Sequence, residues 1–172
     1  KDIARCSLKP KKYAQLLFRL VHHSRLRNIF DLGTSLGITT AYLASAHSLV
    51  PCTTFEGCPH TASVAQWVFD SCAINNVTIK IGDIDKTLPE ALRTIESLDF
   101  VFFDANHTKE ATLRYFEQCL SKVNERTVFV FDDIYHSKGM KEAWEELIQN
   151  QKVTVTINLF ALGIVYFNTE LK

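Results

Sequence analysis

Six carboxylates stand where five short apolar runs give out: Asp31, Glu56, Asp83, Asp104 and the adjacent pair Asp132-Asp133. A single acid in such a place is commonly a helix N-cap. Acids after every run form a set, and the chemistry open to them is hydrogen-bond acceptance and cation binding. Asp104, Asp132 and Asp133 are the most consequential. Gathered at one sheet edge they repel one another unless a cation lies between them, and an all-oxygen set selects a hard ion such as Mg²⁺. Asp132 or Asp133 can instead cap the segment that follows. His107, three residues after Asp104, carries an imidazole that titrates near neutrality and can take a hydroxyl proton. It can also merely cap the helix expected near Thr108. His136, close to the acidic pair, reads as a surface-loop histidine rather than a ligand.

The stretch Asn28-Ile29-Phe30-Asp31-Leu32-Gly33-Thr34-Ser35-Leu36-Gly37-Ile38-Thr39-Thr40-Ala41-Tyr42 has the layout of a nucleotide-type cofactor site. An apolar run ends in a small-residue turn that opens directly into a helix-compatible segment. Gly33 and Gly37 lack a Cβ, so the turn can take unusual backbone angles and a ligand can lie against the main chain. Backbone amides there, with the first helical turn, are suited to a carboxylate or another anion. The Gly-x-x-x-Gly spacing departs from the Gly-x-Gly-x-x-Gly of dinucleotide binders.

Elements that alternate in a regular way must position these groups. Residues Pro10 to Ser24 read as an amphipathic helix with Tyr13, Leu16, Leu17, Leu20 and Val21 on one side. Strand-like runs follow at Asn28 to Leu32, Thr53 to Phe55, Val77 to Ile81, Leu98 to Phe103 and Thr127 to Phe131, each succeeded by a helical pattern. That alternation predicts parallel strands covered on both faces. Pro59 marks a helix start, Thr87-Leu-Pro-Glu90 fits a capping box, and Ser137 precedes a segment carrying Met140, Trp144, Leu147 and Ile148. The runs Val153 to Phe160 and Leu162 to Asn168 have almost nothing between them and can only be antiparallel. The expected sheet is mixed and seven-stranded, in a single domain over residues 1–172, with an N-terminal helical region (1–26) and a core (27–168). Trp67 and Trp144 lie at helical spacing and are expected in the core.

Lys plus Arg and Asp plus Glu both total 19, so no net charge draws the chain to nucleic acid or to an acidic membrane. From Lys1 to Arg27 eight basic residues meet one acid, Asp2, and read as a solvated helix face. Cys6, Cys52, Cys58, Cys72 and Cys119 show no metal-finger spacing and read as reduced, mostly buried thiols. With no run of about 18 apolar residues and no signal-peptide core, a cytoplasmic location is expected. The chain opens on Lys1 rather than Met, which leaves room for an upstream segment.

On these residues the chain resembles the class I S-adenosylmethionine-dependent methyltransferases, and within them the small metal-dependent, catechol-type O-methyltransferases. Asp31-x-Gly33-x-x-x-Gly37-x-Thr39 is similar to their first cofactor motif, with Thr34 and Ser35 inside it. Phe55-Glu56 resembles the second-strand acid that receives the ribose hydroxyls, and Gly82-Asp83-Ile84 the element beside adenine. Phe102-Phe103-Asp104-Ala105-Asn106-His107 resembles the fourth motif, near the methyl group. The resemblance runs from Arg27 to Asn168. It implies a Rossmann-like three-layer α/β/α sandwich whose sheet has five parallel strands and a C-terminal antiparallel hairpin. It also implies S-adenosylmethionine as donor and Mg²⁺ held by Asp104, Asp132 and Asp133. Asp104 and His107 are then catalytic, and the acceptor is a small hydroxylated molecule. Catechol-type enzymes carry a lysine base where this chain has His107. Two other readings stay open: a non-catalytic cofactor-binding or interaction module, and an NAD-dependent oxidoreductase. Self-association is equally open.

Overall fold

The computed structural model describes residues 9–171. Cys6 and the start of the basic stretch, residues 1–8, lie outside them. The strands are β1 (Ile29–Leu32), β2 (Cys52–Glu56), β3 (Val77–Ile81), β4 (Phe100–Phe103), β5 (Val128–Asp132), β6 (Val155–Asn158) and β7 (Leu162–Tyr166). They form one seven-stranded sheet in the order β3-β2-β1-β4-β5-β7-β6. Pairings β1–β2, β2–β3 and β4–β5 are parallel, whereas β5–β7 and β6–β7 are antiparallel. The expected mixed sheet with its closing hairpin is therefore present. Its helices are α1 (Lys11–His23), α2 (Ile38–Ser45), α3 (Pro59–Ser71), α4 (Ile84–Arg93), α5 (Lys109–Leu120) and α6 (Lys138–Leu147). No helix among the described residues is long and apolar enough to cross a membrane.

The chain divides into two compact units, Lys1–Leu88 and Pro89–Lys172. In the first, α1 buries Ala14, Leu17 and Val21, a stripe at three- and four-residue spacing, and leaves Lys11, Lys12 and Arg19 in solvent. His22 and His23 in its last turn suit the negative end of the helix dipole. Ser24 ends it, its hydroxyl donating to the Leu20 carbonyl at 2.6 Å. β1 is buried throughout, as a strand covered on both faces must be. β3 is the sheet's edge and is largely exposed.

The second unit has an aromatic core. Phe103 stacks on Phe131 with centroids 4.2 Å apart, and Phe129 meets Phe167 edge-on at 4.8 Å. Thr108 and Ser137 cap α5 and α6, accepting from the N–H groups of Ala111 and Met140. Gly163 of β7 lets the Trp144 ring lie against its Cα.

Three expectations need correction. Helix α4 starts at Ile84, so Thr87 lies inside it; Asp83, directly before the helix, accepts the Asp85 N–H on Oδ1 at 3.0 Å and caps it locally. Trp67 is 68% exposed, on the side of α3 that looks along the edge strand, where no further strand among the described residues covers it. Trp144 is buried as expected. Of the four described cysteines Cys52 and Cys119 are buried, but Cys58 and Cys72, at the two ends of α3, are exposed.

Candidate functional site

Two constellations form, one in each unit. In the first, β1 delivers Asp31 into full burial, where Oδ2 accepts from Thr40 Oγ1 at 2.5 Å and from Thr54 Oγ1 at 3.1 Å. Thr34 and Thr54 share a further hydroxyl contact of 2.7 Å. Asp31 thus ties the turn to α2 and β2. Sequence reasoning named Thr34 but missed Thr40 and Thr54. Their signal was the presence of hydroxyl-bearing residues on the neighbouring strand and one helical turn past the glycine turn.

The turn itself is a run of unusual backbone angles, with Gly33 at φ 121°, Ser35 at φ 47° and Gly37 at φ 78°. A Cβ on Gly37 would lie 2.8 Å from Phe69 Cε1, so that position requires glycine for both its angle and its packing. Three of the turn's amides build the frame. Thr34 N–H donates to the Phe55 carbonyl at 2.9 Å, Ser35 N–H to Glu56 Oε2 at 3.0 Å, and Gly37 N–H to the Thr34 carbonyl at 2.8 Å. Gly37 is also the N-cap of α2 and has no side chain to cap it, which leaves Thr39 in an open first turn. Glu56 Oε1 accepts from Cys58 N–H at 2.9 Å. Gly82 N–H donates to the Glu56 carbonyl at 2.9 Å, drawing the Gly82-Asp83 step alongside, with Gly82 at φ 135° and Asp83 exposed. The structure therefore brings together Asp31, Gly33, Thr34, Ser35, Gly37, Thr39, Glu56, Gly82 and Asp83 as neighbours at the carboxyl ends of β1, β2 and β3, where ligands of open α/β sheets bind.

In the second unit, β4 ends beside Asp104 and β5 ends on Asp132. Asp104, His107 and Asp132 each offer a ligand atom, and these atoms all lie within 4.8 Å of one another. His107 Nε2 is 3.3 Å from Asp104 Oδ1. Asp132 is buried, whereas Asp133 is half exposed and turns toward His136, its Oδ2 3.8 Å from Nδ1. The rings of His107 and His136 are 5.9 Å apart. Asn106, His107 and Asp133 all have left-handed backbone angles, φ 64°, 36° and 52°. For non-glycine residues such angles are costly and concentrate at functional sites. The hydrogen bond to Asp104 raises the His107 pKa above its ordinary value; burial opposes this, and the charges of Asp104, Asp132 and Asp133 add to the rise. His107 does not cap α5, because Thr108 does, and neither Asp132 nor Asp133 caps α6, because Ser137 does. Of the three acids expected at a cation, the structure clusters two with His107 and points the third elsewhere. The mixed carboxylate and imidazole donors are of the kind that hold divalent ions.

Residues 30–134 match the family model described as a methyltransferase domain. No curated protein matches the chain. Among solved structures the chain is similar to the O-methyltransferase TomG from Streptomyces achromogenes, involved in tomaymycin synthesis and solved in complex with SAM. The identity is 21%, the TM-score 0.80, and the match covers 94% of this chain and 82% of that one. It is similar to the O-methyltransferase from Bacillus cereus in complex with SAH, at 21% identity and TM-score 0.79, over 94% of this chain and 83% of that one. The SAH-bound Podospora anserina methyltransferase PaMTH1 matches at 12% identity and TM-score 0.79, over 94% and 80%. With residues 30–134 matched by that family model and the whole fold matched by these structures, the chain belongs to the methyltransferase-domain family and has the class I, Rossmann-like methyltransferase fold.

Proposed function

We propose that this chain transfers the methyl group of S-adenosylmethionine to an oxygen of a small hydroxylated acceptor, assisted by a divalent cation of which Mg²⁺ is the simplest candidate. The observation that carries the reading beyond the family is the convergence of Asp104, His107 and Asp132 within 4.8 Å. When bound, S-adenosylmethionine supplies the sulfonium methyl, and the cation supplies Lewis acidity that lowers the acceptor hydroxyl's pKa.

The chain's own residues do the rest. The Glu56 carboxylate, held by Ser35 N–H and Cys58 N–H, keeps lone pairs for two vicinal ribose hydroxyls. Asp83, exposed beside Gly82, accepts from the adenine amino group. The Gly33–Gly37 turn, with Thr34, Ser35 and Thr39, lets the methionine moiety lie against the main chain, and Asp31 keeps that turn in shape through Thr40 and Thr54. Asp104 and Asp132 would hold the cation, while Asp133 is turned toward His136 and stands outside the cluster. His107, expected as the base, has its Nε2 3.3 Å from Asp104, so the nitrogen suited to the hydroxyl proton also faces the cation ligands. The acceptor oxygen would take the methyl of bound S-adenosylmethionine, the electron pair of the broken bond staying on sulfur and the acceptor's proton passing to the site or to water. Holding the two in line supplies much of the rate.

The test is turnover of S-adenosylmethionine with a panel of phenolic, sugar and aliphatic hydroxyl acceptors, with methylated product detected by mass spectrometry. Asp104→Ala should abolish metal-stimulated turnover and leave S-adenosylhomocysteine affinity within about twofold. Undiminished turnover in that variant or in excess chelator would remove the cation from the proposal.

A further inference from the structure

We propose that His107 is a ligand of the cation rather than the base, and that the resulting two-carboxylate, one-imidazole seat prefers a first-row transition ion, such as Mn²⁺, Co²⁺ or Zn²⁺, over Mg²⁺. The inference rests on the reading of Asp104 and Asp132 as a cation site and names which ion that site takes.

Spacing is the first support. An ion with bonds of about 2.1 Å places neighbouring donors about 3.0 Å apart and opposite donors about 4.2 Å apart. The His107 Nε2 to Asp104 Oδ1 distance of 3.3 Å is near the first value, and the outer limit of 4.8 Å for the whole group is a few tenths beyond the second. Small rotamer adjustments bring all three donors onto one ion.

The second support is what every neighbour of His107 is already doing. Asn106 is anchored by its Nδ2, which donates to Tyr115 Oη at 2.6 Å. The His107 N–H closes a tight turn onto the Ala105 carbonyl at 2.9 Å, and Thr108 takes the helix cap. These contacts hold two consecutive left-handed residues, Asn106 and His107, and the result is an imidazole aimed at the two carboxylates. Asp133, the residue that would complete an all-oxygen set, instead faces His136.

Donor chemistry then decides the ion. Mg²⁺ is hard, sheds water reluctantly and is typically bound through carboxylates and water. Imidazole suits the borderline ions, whose affinity for such sites rises along the first row toward copper. Replacing an oxygen donor by His107 Nε2 shifts the site toward them.

The experiment titrates metal-free, full-length protein with MnCl₂, CoCl₂ and MgCl₂ by calorimetry, and follows Co²⁺ by its visible absorption. Wild type should bind Co²⁺ and Mn²⁺ at least about tenfold more tightly than Mg²⁺. His107→Ala and His107→Gln should each weaken Co²⁺ binding about tenfold or more and change its spectrum, while Mg²⁺ affinity moves by less than about threefold. Circular dichroism and S-adenosylhomocysteine affinity check that the variants are folded. Co²⁺ affinity unchanged in both variants, alongside a lowered kcat, would make His107 the base and overturn the inference while the cation site survives. Equal wild-type affinity for Mg²⁺ and Co²⁺ would overturn it without any variant. Absence of binding by all three ions would overturn the cation reading itself, and this inference with it.

Discussion

Ser35 and Glu56 lie twenty-one residues apart, yet the Ser35 backbone N–H donates to Glu56 Oε2 at 3.0 Å. The other carboxylate oxygen takes the Cys58 N–H at 2.9 Å, so the acid is locked across the ends of β1 and β2. Glu56→Gln keeps the shape, but it removes the charge and turns an amide donor toward one of these N–H groups. Hydrogen bonds to charged groups contribute about 1.5–3 kcal/mol, so S-adenosylhomocysteine affinity should fall roughly 10- to 100-fold by calorimetry. An affinity within twofold of wild type would take Glu56 out of the donor site.

Gly37 combines a left-handed φ of 78° with a virtual Cβ 2.8 Å from Phe69 Cε1 and 3.0 Å from Ala65 Cβ. Gly37→Ala should lose about 2–4 kcal/mol in urea unfolding, from backbone strain and overpacking together. Adding Phe69→Leu relieves only the clash. The double variant should therefore show less than additive destabilisation, and strict additivity would contradict the contact as its cause.

Cys58 is exposed, and its pKa is lowered first by a hydrogen bond with the Thr61 side chain and then by the backbone groups of Thr61 and His60. Cys52 and Cys119 are fully buried, and burial pushes both thiols upward. Because the thiolate is the nucleophile, iodoacetamide at neutral pH should modify Cys58 and spare Cys52 and Cys119 until the protein unfolds. The pH midpoint of Cys58 labelling should lie below the ordinary thiol range and rise in Thr61→Val. Saturating S-adenosylhomocysteine should slow labelling, since Cys58 N–H and the proposed ribose acid share one hydrogen bond. Peptide mapping by mass spectrometry reads each outcome; early labelling of Cys119 would argue against the burial assigned to it.

Gly163 faces the Trp144 ring so closely that an added Cβ would overlap Cζ3, with Cη2 at 2.6 Å and Cε3 at 2.8 Å. Gly163→Ala should cost about 1–3 kcal/mol from overpacking, read as a lowered midpoint in urea. Trp144→Phe on that background should recover part of the loss; a neutral Gly163→Ala would mean that the ring has room to move.

Strand direction was readable because a buried parallel strand must be apolar on both faces, as Phe100-Val101-Phe102-Phe103 is, and because so short a connection as 159–161 permits only an antiparallel return; the order of the strands across the sheet was not. Trp67 was misread because helical periodicity identifies an apolar stripe but does not say whether that helix lies at an open sheet edge. The start of α4 was misread because Asp83 and Thr87 both offer caps, and the choice depends on where β3 delivers the chain. The threonine web around Asp31 escaped notice because Thr40 and Thr54 join it only through the packing of α2 and the register of β2 against β1.

Local chemistry in the chain alone specified the glycine turn, the acids at the strand ends and the alternation that makes them strand ends at all. Backbone angle preferences and side-chain polarity act over a few residues, and a sequence displays them directly. Which of those acids meet was decided only on folding. Glu56 reaches Ser35, and Asp132 reaches Asp104 and His107 across twenty-eight and twenty-five positions, because strand register brings the chain ends together and left-handed residues in the loops set where each side chain points. Asp133 directly follows Asp132 in sequence, but at φ 52° its carboxylate turns to His136 instead. Successive residues at a strand end face opposite ways unless the backbone bends to prevent it, and that bend is a property of the folded loop.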